Sequence, residues 1–312
     1  MSGLTLDISE LKQAFSNMKL NASIQLATFC VWPFFVGFPF NWAMKKFLPN
    51  FLPAPLLDGF LILTCLPTTV NMCVFLTTAA GGNVASALCN AVISNMAGIL
   101  LTPALLLRFF GTQVQLPFLA MVLKLVNKVV LPVGKLQDCP TVTLNMIIPF
   151  LLFVFHFCLA IGQALRLTEA KAFFMSHSKT CKKVQEGILI CIIWNAFCEA
   201  FSSGWGLQFG HAIKLMVILP IMHLTSLRIG FKFFEKCGFA RGEVVAAMFC
   251  ASHKTLAFGL PLVNTIFEGN PNLAAYCAPL MFIHPLQLVL GSLFIGRLEK
   301  YSSGDATVVS SR

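Results

Sequence analysis

The sequence predicts an all-α polytopic membrane protein, and three observations carry that reading. Of the 312 residues, 57% are hydrophobic and 11% charged, whereas an average soluble domain is about 25% charged. The mean hydropathy is +0.81, so the chain has more apolar surface than one water-facing core can cover. Apolar runs of membrane-crossing length alternate with short loops that hold most of the Lys and Arg. The net charge of +10 is therefore loop charge, and a nucleic-acid partner is not expected.

Several classes fall away at this level. Cys30, Cys65, Cys73, Cys89, Cys191, Cys198, Cys250 and Cys277 lie inside apolar runs, with neither zinc spacing nor a secreted disulfide framework. They read as small buried hydrophobes. His and Cys are scattered, and no Gly-x-Ser-x-Gly, P-loop or His-Glu-x-x-His pattern occurs, so no enzyme site, metal site or cofactor is expected. Residues 1–20 carry Asp7, Glu10, Lys12 and Lys19, lack the apolar core of a signal peptide, and read as a polar loop or a surface helix.

The first span is expected at about 22–44, with Pro33 and Pro39 inside it and Lys45-Lys46 at its end. The second, 56–79, is interrupted by Cys65-Leu66-Pro67-Thr68-Thr69 and Asn71. Gly81-Gly82-Asn83 turns the chain into a third span, 84–110, which carries Asn90, Ser94, Asn95, Thr102 and Pro103. Apolar runs at 116–133 and 144–165 follow. If both crossed, the basic loops would not sit on one side, so one of the two is read as not crossing. Later spans are 187–201 (with Asn195 and Glu199), 212–233, 244–267 and 273–298, before a polar, disordered tail from Glu299. The basic loops of the second half and the carboxyl terminus are expected to be cytoplasmic.

The span at 244–267 has a charged middle, Ser252-His253-Lys254-Thr255, followed by Gly259-Leu260-Pro261. A lysine at that depth costs several kcal/mol on insertion scales and marks a pathway or binding site. The Gly and Pro are expected to break the helix there, freeing backbone groups to line a polar cavity. The interruption at Pro67, Thr68, Thr69 and Asn71 occupies the corresponding place in the first half, and Gly82-Asn83 is echoed by Gly269-Asn270. Two discontinuous helices in matching positions of two halves point to a transporter's midplane site. Asn90 and Ser94, four apart on one helical face, are candidates to support it; their alternative is ordinary hydrogen bonding between helices. His253 carries the same alternative. His284-Pro285 with Gln287 reads as a kink with a polar contact, and His223 and Lys214 as ordinary residues.

Three stretches carry a resemblance. Leu66-Pro67-Thr68-Thr69, Ala80-Gly81-Gly82-Asn83, Asn90, Gly98 and Leu101-Thr102-Pro103 resemble the first crossover region of the bile acid:sodium symporter superfamily. Phe249-Cys250-Ala251-Ser252-His253-Lys254-Thr255-Leu256-Ala257-Phe258-Gly259-Leu260-Pro261 and His284-Pro285-Leu286-Gln287 resemble its sodium/bile acid cotransporter 7 branch. Ser2-Gly3-Leu4-Thr5-Leu6 and Phe197-Cys198-Glu199-Ala200-Phe201-Ser202 fit that branch as well. The resemblance implies an inverted-repeat fold with two discontinuous crossover helices and about eight spans in one transmembrane domain, 1–298.

It further implies secondary transport of a small organic, anionic solute by alternating access. Pro67, Thr68, Thr69, Asn71, Ser252, His253, Lys254 and Thr255 would flank the site, with Asn90 and Ser94 in support. The runner-up is a non-transporting membrane regulator of cellular calcium homeostasis. The expected partners are the solute, Na⁺ as the family's coupling ion, the lipid bilayer and a second copy in a homodimer. The expected membrane is the plasma membrane or that of the ER or Golgi.

Three departures from the family pattern add expectations. Two helices precede the Ser-Gly-Leu-Thr-Leu motif in the family, so the chain is expected to be truncated at its amino terminus with an incomplete first repeat. Residues 134–160 separate Pro132-Val133 from Ile161-Gly162-Gln163, which adjoin in relatives, and are expected to be an insertion of gene-model origin. Lys254 stands where bile-acid-transporting members carry an acidic sodium ligand. An ammonium has three donors and no lone pair, so Lys254 is expected to replace the bound cation and weaken sodium coupling.

Overall fold

The computed structural model describes residues 8–111, 194, 209–267 and 270–304, and the regular structure among them is helical. A surface helix, α1 (Ile8–Ser16), leads into a long helix, α2 (Met18–Phe47), entered through Asn17, whose side chain accepts from Leu20 N–H. Next come α3 (Ala54–Thr64) and α4 (Val70–Ala79), the two halves of one broken span, and then α5 (Val84–Phe110). The second half repeats the order: a long helix α6 (Phe209–Lys236), a broken pair α7 (Arg241–Ser252) and α8 (Leu256–Ile266), a long helix α9 (Leu273–Ser292), and a short helix α10 (Ile295–Ser303). Among the described residues, α2, α5, α6 and α9 are long and apolar enough to cross a membrane.

Local chemistry sets most of these boundaries. Gly81 takes a left-handed conformation (φ 65°) in the turn after α4, and Asn83 caps α5 by accepting from Ser86 N–H at 2.9 Å. In α2, residues Ala27–Gly37 widen into a π-helix around Pro33. Such wide turns mark places where the backbone is adapted to a local need. Here the i→i+5 donor for the Thr28 carbonyl would be residue 33, and proline has no N–H. The Thr28 oxygen is thereby left for another partner.

Among the described residues the interior forms two large apolar clusters, with a small third where α1 meets α5 around Ala14, Ala85 and Cys89. One joins α3, α5, α6, α8 and α9 around Phe60, Leu66, Leu262 and Leu280; the other wraps α7 with α4, α6 and the start of α2 around Phe234, Val245 and Phe249. From Val244 to Ser252, α7 is buried on every face. Ala246, Ala247 and Ala251 let neighbouring backbones approach, which is how helices gain packing energy where lipid competes for apolar contact. Within α3, Asp58 is buried and paired with Lys45, and Asn41 donates to its carboxylate at 2.9 Å.

The structure moves one expected break and extends the helical order into the expected tail. The second broken helix opens at His253–Thr255, and Gly259 and Pro261 lie inside α8 rather than at the break. The cause is the crossing partner: the unwound backbone here pairs with the unwound backbone of the first broken helix, whereas Gly259 faces the side chains of Leu66 and Leu280. The polar end expected from Glu299 is helical through Ser303. Expected spans 116–133, 144–165 and 187–201, the segment 134–160, and Asn195 and Glu199 lie outside the described residues.

Candidate functional site

Two broken helices cross where each is unwound. Thr68 and Lys254 form an isolated antiparallel bridge. Thr69 N–H donates to the His253 carbonyl at 3.4 Å, and Thr255 N–H donates to the Pro67 carbonyl at 3.0 Å. Each break thus supplies partners for backbone groups that the other break exposes, which an apolar interior otherwise penalises heavily. Helix α5 seals the crossing from one side: Ser94 Oγ accepts from Thr68 N–H at 3.0 Å, and Asn95 Nδ2 donates to the Thr68 carbonyl at 2.7 Å. The Thr68 hydroxyl donates to the Cys250 carbonyl on α7. This close approach depends on Gly98, where an added Cβ would lie 2.8 Å from Pro67 side-chain atoms.

Lys254 is 5% exposed. Its Nζ donates to the carbonyls of Thr28 (3.0 Å), Thr64 (3.1 Å) and Leu66 (2.9 Å). Three acceptors match the three N–H bonds of an ammonium. Each oxygen is free for a local reason: Thr28 faces Pro33 in the π-turn, Thr64 ends α3, and Leu66 lies in the break. The result is an oxygen cage of the kind that holds hard cations, filled by a tethered one. Among the described residues no carboxylate pairs with Lys254. With all three donors engaged, no ammonium N–H remains for direct contact with an anionic solute in this arrangement.

Around the cage, Gln287 Oε1 accepts from Lys254 N–H at 3.3 Å. His253 is fully buried; Nδ1 lies 3.1 Å from the Phe249 carbonyl and from Ser252 Oγ, and Nε2 lies 3.3 Å from the Gln287 carbonyl. The His223 ring meets His253 edge-on, 4.8 Å between centroids. Sequence reading treated His223 as ordinary, because a lone His on an apolar helix carries no signal until its neighbour across the bundle is known.

Of the residues expected at a site, Pro67, Thr68, Thr69, Ser94, Ser252, His253, Lys254 and Thr255 come together and are buried. Asn71 is exposed at the start of α4. Asn90 joins a different network: its Nδ2 donates to Asn21 Oδ1 at 2.9 Å and its Oδ1 accepts from Gln25 at 3.3 Å. Asn21 and Gln25 lie four apart along one face of α2, and the capping Asn17, four residues before Asn21, continues the ladder to Glu243 at the start of α7. What sequence reading missed is the carbonyl cage, since backbone oxygens carry no residue signature. Pro33 was its one visible trace.

Two halves built alike, each with a long helix, a broken helix and a second long helix, and crossing at their breaks around a lysine, define the core of a membrane transporter. The model of the SBF-like CPA transporter family matches residues 1–300, and the chain belongs to that family. It is similar to sodium/bile acid cotransporter 7 of Danio rerio (29% identical over 313 residues, 97% of this chain and 82% of the relative). It is similar also to the proteins of that name from Rattus norvegicus (29% over 304 residues, 96% and 80%) and Gallus gallus (25% over 309 residues, 96% and 78%). These relatives are named as transporters, not enzymes. The chain is a multi-pass integral membrane transporter of the bile acid:sodium symporter type.

Proposed function

We propose that this protein moves a small organic anion across a membrane by alternating access, with Lys254 as a built-in cation at the crossing and with weak or absent coupling to sodium. The observation that carries this reading is the three-carbonyl cage around Lys254 Nζ. Backbone oxygens of Thr28, Thr64 and Leu66 are ligands a Na⁺ would use, and a covalently held ammonium excludes that ion by occupancy and by charge. The relatives' names speak of sodium and bile acid, which supports an organic anion as cargo while leaving the coupling ion to this chain's own residues. Pro67, Thr68, Thr69 and Ser252 to Thr255 flank the site in this proposal, Ser94 holds it, and exposed Asn71 stands beside it. Asn90 contributes by fixing α2, and with it the π-turn, against α5.

Purified protein in liposomes tests the proposal through uptake of a panel of organic anions, with Na⁺ or choline as the outside cation. Expected is uptake of at least one anion at similar rates in both salts, lost in Lys254→Ala. Uptake steeply dependent on Na⁺ in the wild type would sink the proposal. Absence of uptake together with an effect on cellular calcium that survives Lys254→Ala would favour a regulator instead.

A further inference from the structure

A cavity of about 50 Å³ opens between α2, α3, α6 and α9, directly beside Lys254. Its polar lining is His223, Ser226, Ser252, Lys254 and Gln287, and the remaining lining residues are apolar or the buried Thr64. Two features make it more than a packing defect. His223 is 3% exposed, yet among the described residues its Nε2 has no hydrogen-bond partner, and a buried polar atom left alone costs about 1–3 kcal/mol. In addition, the charge on Lys254 is met by carbonyl dipoles but, among the described residues, by no carboxylate. An unpaired charge in a low-dielectric interior is costly. A water occupies about 30 Å³ of the liquid, so the space admits one or two waters or a group of similar size.

We infer that this cavity is an anion subsite, where a carboxylate-sized monoanion accepts a hydrogen bond from His223 Nε2–H and neutralises the nearby Lys254. Among the described residues no Asp or Glu lines the cavity to repel it. Ser226 Oγ already donates to the His223 carbonyl at 2.7 Å, which holds the helix turn that carries the ring. The ligand class is a small carboxylate, either free or as the head of a larger solute. The apolar wall, with Leu219 and Met222, accommodates the first carbon atoms behind it. Inference of the subsite rests on the reading of Lys254 as the resident cation.

The test is thermal unfolding of the purified full chain in nanodiscs, titrated with acetate, with hexanoate as the larger solute, or with gluconate. Each titration runs at fixed pH and ionic strength, with sodium or choline as counter-ion. Expected is a saturable rise in Tm of about 3 °C with acetate in both cation series and none with gluconate. A hexanoate response marks the head of a larger solute, and its absence a free small carboxylate. His223→Leu should abolish the response, and His223→Gln, which keeps an N–H donor, should retain it. Absence of the acetate response in wild type, or a response of equal size in His223→Leu, overturns the subsite. If His223→Leu does not fold, Met222→Trp, which fills the cavity, decides in the same way. A rise in wild-type Tm with sodium in place of choline would instead strike the resident-cation reading and leave the acetate result to stand alone.

Discussion

Thr68 and Lys254 face each other as an isolated antiparallel bridge at the point where the two broken helices cross. With Thr69 N–H on the His253 carbonyl and Thr255 N–H on the Pro67 carbonyl, the bridge makes each break the other's hydrogen-bonding partner. Neither interruption would be tolerable alone in an apolar interior. The crossing is therefore one cooperative unit, and lesions in either half should be felt by both.

Gly98 sets the distance between α5 and that unit. Gly98→Ala would bring a Cβ to 2.8 Å from Pro67 atoms, an overpacking expected to destabilise by about 1–3 kcal/mol. Gly296→Ala on α10 is the control, since nothing lies within 4 Å of its added Cβ. Thermal unfolding of the two variants should show a clear drop in Tm for the first and no drop for the second.

Ser94 holds the bridge from the side. In Ser94→Ala, the buried Thr68 N–H loses its acceptor at 3.0 Å, at a cost of about 1–3 kcal/mol. Ser94→Thr keeps an oxygen on Cβ and should recover part of that loss. Hydrogen exchange at Thr68 reads the effect at its source: the amide should exchange faster in the alanine variant, and unchanged protection would rule the contact out as a support.

Pro33 keeps the Thr28 carbonyl available to Lys254. Pro33→Ala returns an N–H at residue 33 that can compete for this oxygen. On that background Lys254→Ala should orphan fewer acceptors, so the two substitutions should couple by about 1 kcal/mol rather than add. Strict additivity in a double-mutant cycle would show that the π-turn and the lysine act independently.

Much of the architecture was legible in the residues. The long helix Val84–Phe110 coincides with the expected third span because its start has a local signal, Gly81-Gly82 followed by the capping Asn83. Interruption of the first broken helix was visible at Pro67. The second was placed too far along, at Gly259–Pro261, because the opening at His253–Thr255 is fixed by pairing with a segment about 190 residues away and not by a local breaker.

Candidate-site residues divided along the same line. Pro67, Thr68 and the Ser252–Thr255 run stood out as polar groups in apolar spans. The oxygens of Thr28, Thr64 and Leu66 did not, since backbone acceptors have no signature in sequence. Asn90 was grouped with the crossing through its spacing to Ser94, whereas its partners Asn21 and Gln25 lie on α2, where the sequence places the start of the first span. His223 became notable only through its edge-on contact with His253.

The central claim is that Lys254 occupies a cation's place. Its most direct test is the Tm of wild type and Lys254→Ala in NaCl and in choline chloride. Wild type should unfold at the same temperature in both salts, because the cage is already filled. Lys254→Ala, with three carbonyls left unpaired, should be less stable in choline by about 2 kcal/mol and regain part of the loss in Na⁺. A Na⁺-dependent rise in wild type equal to that of the variant, or a variant indifferent to Na⁺, would contradict the claim.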